Sequence, residues 1–200
     1  GTITLVDPGT TTISAKFAGG EVSGTTYAAK TVTYALTVLK APATPTENVY
    51  VKVTSTAGIT DGEYLIVYED AEGNPKAPVA FDGSLAPVKL DVASNNIEVS
   101  IASNTIAGNT DIDDATFTIN TTAGTIQTKD GYYIGQTSNA NGLATSTTTE
   151  YTNTISIEND GSATIISSGG AYLRYNSAND NLRFRYFKSS TYTAQKAIAL

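Results

Sequence analysis

The segment GYYIG at residues 131–135 returns as GAYLR at residues 170–174. The similarity continues on both sides at an offset of 38 to 39 residues, and it aligns Phe117 with Ile155, Ile126 with Ile165, and Leu143 with Leu182. A fainter copy, DGEYL, occupies residues 61–65 and is followed by a longer insertion. Repetition at this period indicates units that share one architecture.

The composition predicts an all-β chain. Thr, Ser, Gly, Val, Ile and Tyr dominate, and no sustained run has the 3.6-residue apolar period of a helix. Tight hairpins need small or positive-φ residues, and three turn signals supply them: KDG at 129–131, NDG at 159–161 and SGG at 168–170. Strands are predicted at 49–54, 64–68, 97–101, 116–119, 132–134, 154–157, 163–166, 172–175 and 182–187.

A separate unit is predicted at the N-terminal end, in residues 1–40. Residues 2–6 and 11–17 alternate polar and apolar side chains around a DPG turn signal, so they are predicted to pair. Residues 31–39 form a third strand, which places Val32, Tyr34, Leu36 and Val38 on one face. Residues 41–47 contain Pro42 and Pro45 and are interpreted as a linker, so a second domain is predicted at 48–200.

Residues 7–19, 27–29 and 32–38 together resemble the second half of a bacterial group-two immunoglobulin-like domain. The resemblance covers about residues 2–39 and implies a partial sandwich of the kind found in bacterial surface proteins. Three strands leave such a sandwich incomplete. Either the chain is a fragment, or this piece packs onto another element, with self-association through this segment as one way to do so.

The three Gly-x-Tyr-(Leu/Ile) units look like a β-trefoil, similar to ricin-B-like and fascin-like modules. The first unit is long, and no Gln-x-Trp motif is present. Residues 131–199 also resemble C-terminal modules of extracellular proteins from gut Bacteroidetes, which implies an extracellular or cell-surface location. The expected fold is thus a small Ig-like antiparallel segment followed by a β-trefoil-like domain.

Residue types that are absent exclude several function classes. Without Cys there is neither a disulfide nor a thiolate metal site, and without His there is no Ser-His triad and no His-ligated zinc. No apolar run approaches the roughly 18 to 20 residues of a membrane span, so no membrane insertion is expected.

Charge is distributed unevenly along the chain. The net charge is -7, and residues 46–165 carry sixteen acids against four Lys. All three Arg lie within residues 166–200. An acidic body disfavours nucleic acid as a partner, because nucleic-acid binding draws on extended basic surface.

Two groups of acidic residues are candidates for a metal site and a hydrolytic site, and neither has a full motif. Asp111, Asp113 and Asp114 could offer oxygen ligands to Ca²⁺, but the spaced Gly and distal Glu of a calcium loop are missing, which favours a solvated turn. A carboxylate pair for glycoside hydrolysis could come from Asp61 and Glu63, or from an acidic group at residues 69–72. Solvated loops are the favoured interpretation there as well, and no catalytic residue or cofactor is predicted.

The candidate ligand site combines aromatic rings with hydrogen-bonding groups that suit sugars. Its residues are Tyr172, Arg174, Tyr175, Asn176, Asp180, Asn181, Arg183, Arg185 and Tyr186. Strand alternation puts Arg183 and Arg185 on one face, opposite to Phe184 and Tyr186. In the alternative interpretation, the aromatics fill the core and the arginines pair with the acidic body.

These observations favour a non-catalytic extracellular or cell-surface module for adhesion or carbohydrate binding. Its expected partner is a glycan or a surface protein. Two alternatives stay open: a structural stalk or assembly subunit of a surface protein, and an accessory domain of a secreted hydrolase.

Overall fold

The computed structural model describes residues 8–69, 78–178, 181–188 and 193–200. The chain divides into two compact units, Gly1–Ala43 and Thr44–Leu200. Strands dominate both, and the prediction of an all-β chain is confirmed. The predicted strand at 2–6 lies outside the described residues, as does Asp7.

The first unit is an antiparallel ribbon. Its strands are β1 (Gly9–Phe17), β2 (Gly20–Val22), β3 (Thr25–Tyr27) and β4 (Lys30–Val38). β1 pairs with β4 over nine residues, and β2 and β3 form a short hairpin between them. No strand is predicted from the sequence at residues 20–27, where this hairpin lies.

The ribbon has one apolar and one polar face. Residues directly opposite each other share a face, so the pairs Ile13–Tyr34 and Ala15–Val32 lie together, whereas the next pair, Ser14–Thr33, lies on the other side. No described residue of this unit is buried, and Tyr34 is 68% exposed. A two-stranded ribbon is only marginally stable alone, so this apolar face is suited to being covered.

The second unit contains sixteen strands in its described part: β5 (Pro45–Val51), β6 (Gly62–Tyr64), β7 (Val67–Tyr68), β8 (Val79–Phe81), β9 (Asn96–Glu98), β10 (Ile101–Ala102), β11 (Thr105–Asn109), β12 (Phe117–Asn120), β13 (Thr125–Thr128), β14 (Tyr133–Gly135), β15 (Ala144–Ser146), β16 (Asn153–Ile157), β17 (Ala163–Ser167), β18 (Tyr172–Asn176), β19 (Arg183–Phe187) and β20 (Gln195–Lys196). The helix α1 (Thr110–Asp114) and 3₁₀ turns at Thr56–Gly58 and Pro87–Lys89 complete it.

Four sheets arise from these strands. Their orders are β10-β11-β5, β15-β14-β13-β12-β6, β16-β17-β18-β19 with β20 beside β18, and β7-β8-β9. β5 begins at Pro45, inside the segment predicted as a linker. A proline is tolerated there because the first residue of an edge strand need not donate to the ladder.

The three predicted glycine turns are confirmed, and they are nearly identical. Gly131, Gly161 and Gly170 have φ values of 81°, 80° and 82°. In each turn the glycine amide donates to the carbonyl three residues earlier, at 2.8 to 2.9 Å. A second bond joins the amide of that earlier residue to the carbonyl that follows the glycine. This geometry is a type I turn closed by a glycine bulge.

Strand pairing refines the internal repeat. The meander β12–β15 corresponds to the meander β16–β19, and Ile126 matches Ile165 as the sequence indicated. Ile126 pairs with Ile119, and Ile165 pairs with Ile155. Ile119 is therefore the counterpart of Ile155, two residues away from the sequence alignment. The hairpin loops differ in length, and the alignment did not allow for this difference.

The core of the second unit contains a row of five aromatic rings. Successive ring centroids lie 4.5 to 5.2 Å apart, in the order Phe117, Phe81, Phe184, Tyr175, Tyr68. The rings come from β12, β8, β19, β18 and β7, which belong to three different sheets. The row therefore joins those sheets.

The turn geometry predicts the effect of replacing Gly131. Gly131→Ala should lower the free energy of unfolding by about 1 kcal/mol, because a positive φ disfavours a Cβ although the space around it is open. Gly131→Asn should lose less, since Asn tolerates this conformation better. Urea unfolding of both variants measures the difference. Equal stability of the alanine variant and the parent would contradict the assignment.

Candidate functional site

The predicted ligand residues fall on two opposite faces of the hairpin β18–β19. Tyr172, Arg174, Arg183 and Arg185 are partly buried, whereas Tyr175 and Tyr186 point into the core. This agrees with the predicted alternation of Arg183 and Arg185 against Phe184 and Tyr186. Asp180 lies outside the described residues.

Tyr175 and Tyr186 are core residues, which differs from their predicted role at a ligand site. The Tyr175 ring stacks on Tyr68 at 4.5 Å, and Tyr186 has no exposed surface. The Tyr186 hydroxyl donates to Oδ1 of the buried Asn153 at 2.8 Å. Burial raises the pKa of Tyr175 to about 12 and raises the pKa of Tyr186 as well. Neither ring is available to a ligand at the surface.

Two amide side chains of the predicted site support local structure. Asn176 is buried, and its Oδ1 accepts a hydrogen bond from the amide of Ala178 at 3.2 Å. Asn181 is exposed, and its Oδ1 accepts a bond from Nη2 of Arg183 at 2.5 Å. Asn181 therefore helps to fix the position of one guanidinium.

Asp91 organises two of the three arginines. Nε of Arg185 lies 2.8 Å from Oδ1 of Asp91, and Nη2 of Arg185 donates to Oδ2 at 3.1 Å. Nη1 of Arg183 donates to the backbone carbonyl of Asp91 at 3.1 Å. Oδ2 also accepts from the amide of Leu143 at 3.2 Å. Sequence reasoning missed Asp91, because it precedes these arginines by more than ninety residues and has no motif around it.

Arg174 is positioned by its neighbours on the same face. Its guanidinium carbon lies 4.6 Å from the centroid of the Tyr172 ring, a cation–π contact. Nη1 donates to Oε1 of Gln195 at 3.0 Å. In the β18–β19 register, Arg174 lies directly opposite Arg185. One face of this hairpin thus carries three partly buried arginine side chains.

The acidic loop at residues 111–114 forms the short helix α1. Asn109 caps it by accepting bonds from the amides of Asp111 and Ile112 at 3.0 Å. Asp113 accepts bonds from Tyr50 and Asn48, and Lys129 pairs with Asp114. Among the described residues, no three His, Cys, Asp or Glu side chains cluster closely enough to hold a metal ion.

The acids considered for hydrolysis make structural contacts. Oδ1 of Asp61 accepts bonds from the hydroxyl and the amide of Thr121, and these bonds lower the pKa of Asp61. Glu69 forms an ion pair with Lys52 at 2.5 Å. Asp70 and Glu72 lie outside the described residues.

A cleft of about 270 Å³ opens elsewhere in the second unit. β5 and β6 contribute Val49–Val51 and Glu63–Tyr64 to its walls, and Ala199 and Leu200 also line it. Sequence reasoning missed this cleft, because residues 101–106 and 199–200, which complete its walls, are far along the chain from β5 and β6.

Comparison with protein families, curated proteins and solved structures gave no match. In the part of the chain that the structure describes, no helix is long and apolar enough to cross a membrane.

Removal of a tyrosine hydroxyl should lower the stability of the protein much more on the buried face of the hairpin than on the outward face. Tyr186→Phe should lower the free energy of unfolding by about 1 to 3 kcal/mol, because the buried Oδ1 of Asn153 loses its donor. Tyr172→Phe is the matched control and should change stability by less than about 0.5 kcal/mol. Thermal unfolding of both variants tests the assignment. An equal loss in the two variants would contradict it.

Proposed function

We propose that this chain is a non-catalytic extracellular or cell-surface module that binds an acidic glycan. The proposed contact surface is the outward face of β18 and β19, which carries Tyr172, Arg174, Arg183 and Arg185. The observation behind the proposal is the cross-strand pair Arg174–Arg185, with Arg183 on the same face. Like charges directly opposite each other destabilise a strand pair. Asp91 already pairs with Arg185, but three guanidinium groups exceed its single negative charge, so an anionic ligand would add to the stabilisation of this arrangement.

The chemistry of these side chains suits carboxylated or sulfated sugars. A guanidinium presents a planar fork of donors that matches a carboxylate, and it can stack on a ring. Asp91 and Asn181 hold Arg185 and Arg183 in place, which reduces the entropy lost on binding. A shallow face of this kind gives weak binding at each site, so strong attachment would come from multivalency.

The proposal also includes a more specific fold than all-β: a β-trefoil-like second unit and an Ig-like first unit. Two consecutive four-stranded meanders with matching glycine turns support a β-trefoil-like second unit. The segment DGEYL at 61–65 marks the remaining repeat, which is the first along the chain. The amphipathic ribbon supports an Ig-like segment in the first unit. The Bacteroidetes-like resemblance of residues 131–199 supports the extracellular location.

Glycan-array binding tests the arginine face. Arg174→Gln should weaken binding of acidic glycans by at least about tenfold, which corresponds to about 1.4 kcal/mol. Lys188→Gln removes the same charge from an exposed nearby residue and should leave binding within about twofold of the parent.

Three results would count against this proposal. An Arg174→Gln variant that keeps every signal would show that the site lies elsewhere. A parent that binds no glycan would remove the main support for the function. Turnover of a polysaccharide or phosphoester that is lost on replacing one specific acid would make the chain an enzyme.

The exposed apolar face of the β1–β4 ribbon favours a second candidate, a structural stalk or assembly subunit. Nine residues span about 30 Å, so one face of two strands covers about 300 Å². Two copies meeting through this face would form a weak contact, well below the size of a stable interface.

Self-association measured by sedimentation velocity tests this second candidate. The parent should associate as its concentration rises over about two decades. Tyr34→Glu puts a charge on the apolar face and should abolish association, whereas Thr33→Glu puts the same charge on the polar face and should preserve it. A parent that stays monomeric throughout, or equal loss in both variants, would contradict assembly through the ribbon.

A further inference from the structure

The cleft in the second unit lies between the edges of two sheets. β5 is the edge strand of the sheet β10-β11-β5, and β6 is the edge strand of the sheet β15-β14-β13-β12-β6. Both strands line the cleft. An edge strand presents backbone groups that can pair with another chain.

The register of β5 shows which of its backbone groups face outward. The amide of Lys52 donates to the carbonyl of Asn104 at 2.9 Å, so Lys52 points towards β11. Alternation along the strand then turns the amides and carbonyls of Val49 and Val51 to the opposite side. No described residue hydrogen-bonds to these four groups, and the two side chains are 61% and 66% exposed.

The wall opposite β5 contains residues 65–67, and its backbone groups also point alternately to the two sides. The carbonyl of Ile66 accepts from Phe81 on one side, whereas Val67 exchanges two hydrogen bonds with Ala199 on the other. Leu65 lies two residues before Val67 and lines the same cleft, so an extended backbone between the two strands turns its amide and carbonyl to the same side as Val67. Leu65 is only 3% exposed, and among the described residues its backbone groups have no partner. Buried backbone groups are nearly always paired, which points to a missing partner at this position.

One end of the cleft already contains a strand-like segment between the same two walls. Ala199 pairs antiparallel with Val67, and the carbonyl of Leu200 accepts from the amide of Val53 at 2.7 Å. The amide of Lys52 bonds to Asn104 beside β11, whereas that of Val53 bonds to Leu200, so Val53 points away from β11 as Val49 and Val51 do. At this end of the cleft, the two walls therefore hold one extended segment between them.

A different edge of the unit is closed. On β19, the amide and carbonyl of Phe184 bond to the side chain of the buried Asn95 at 2.9 and 2.8 Å. The carbonyls of Leu182 and Tyr186 accept from the amides of Ser94 and Gly142. Loops thus bond to this edge at Leu182, Phe184 and Tyr186, whereas β5 stays open beside the cleft.

The charge of the cleft indicates the kind of strand that fits. Lys52 and Glu69 neutralise each other at 2.5 Å, and Glu63 makes no ion pair with any described residue. The remaining net charge is negative. Leu65, Ile101 and Ile106 supply apolar surface at the same place.

We infer that the cleft binds one extended peptide segment of a partner protein, antiparallel to β5 and to residues 63–67. Its amides and carbonyls pair with Val49, Val51 and Leu65. Its apolar side chains alternate, and a Lys or Arg of the segment lies near Glu63. This is recognition by addition of a β-strand, and it is independent of the arginine face.

The test uses a fluorescently labelled peptide, acetyl-Thr-Val-Lys-Val-Thr-Val-Thr-amide, and the same peptide with alternate amides N-methylated. Fluorescence anisotropy should show saturable binding of the first peptide and at least about tenfold weaker binding of the second, because N-methylation removes the donors. Amide hydrogen exchange at Val49 and Val51 should slow when the first peptide binds.

Variants of the cleft separate backbone pairing from simple apolar contact. Val51→Pro removes one outward amide at an edge where proline is tolerated, and it should weaken binding, whereas Val51→Thr keeps the amide and should preserve binding. Glu63→Gln should weaken the Lys peptide but not a variant peptide with Thr in place of Lys. If Val51→Pro does not fold, the N-methylated peptide and Glu63→Gln still decide the question.

Equal binding of the methylated and unmethylated peptides would overturn the inference. The inference would also be overturned if neither the Lys peptide nor the Thr peptide showed saturable binding. Protection of Val49 and Val51 that grows with protein concentration alone would also overturn it, because a second copy would then fill the cleft.

Discussion

The structure of the second unit depends on the row of five aromatic rings, two pairs stacked and two tilted, formed by Phe117, Phe81, Phe184, Tyr175 and Tyr68. Each ring is buried and comes from a different strand. Aromatic pairs at these distances each stabilise a fold by about 0.5 to 1.5 kcal/mol beyond the burial of their surface. The strands are short, so stacking between sheets supplies the order that long ladders provide in other β proteins.

The ring row also fixes the outward faces of two neighbouring strands. Tyr175 on β18 and Phe184 on β19 pack into the core. Because side chains alternate along a strand, the residues next to them point to the opposite face. The position of Arg174, Arg183 and Arg185 is thus a consequence of core packing. Asp91 adds a contact from a distant loop, and it holds two of these groups in defined positions.

The sequence predicted features that depend on neighbouring residues. The turns at Gly131, Gly161 and Gly170 follow from local backbone preferences, and the alternation of Arg183 to Tyr186 follows from the two-residue period of a strand. That period does not tell which face contacts a core, so Tyr175 and Tyr186 were assigned to a ligand. Asp91 and the open edge of β5 depend on long-range pairing, which a single sequence does not reveal. β8, which supplies Phe81, has only three residues and shows no alternation.

The bond between Asn95 and Phe184 spans 89 residues, and this separation affects how the protein is made. During synthesis from the N-terminus, Phe81, Asn95 and Phe117 emerge long before Tyr175 and Phe184. The nascent chain therefore carries Tyr68 without its stacking partner and Asn95 without its backbone partner until β18 and β19 appear. Contacts of such high sequence separation also slow folding. A nascent chain that ends before β18 thus exposes apolar rings that the folded protein buries, and such exposed surface favours aggregation.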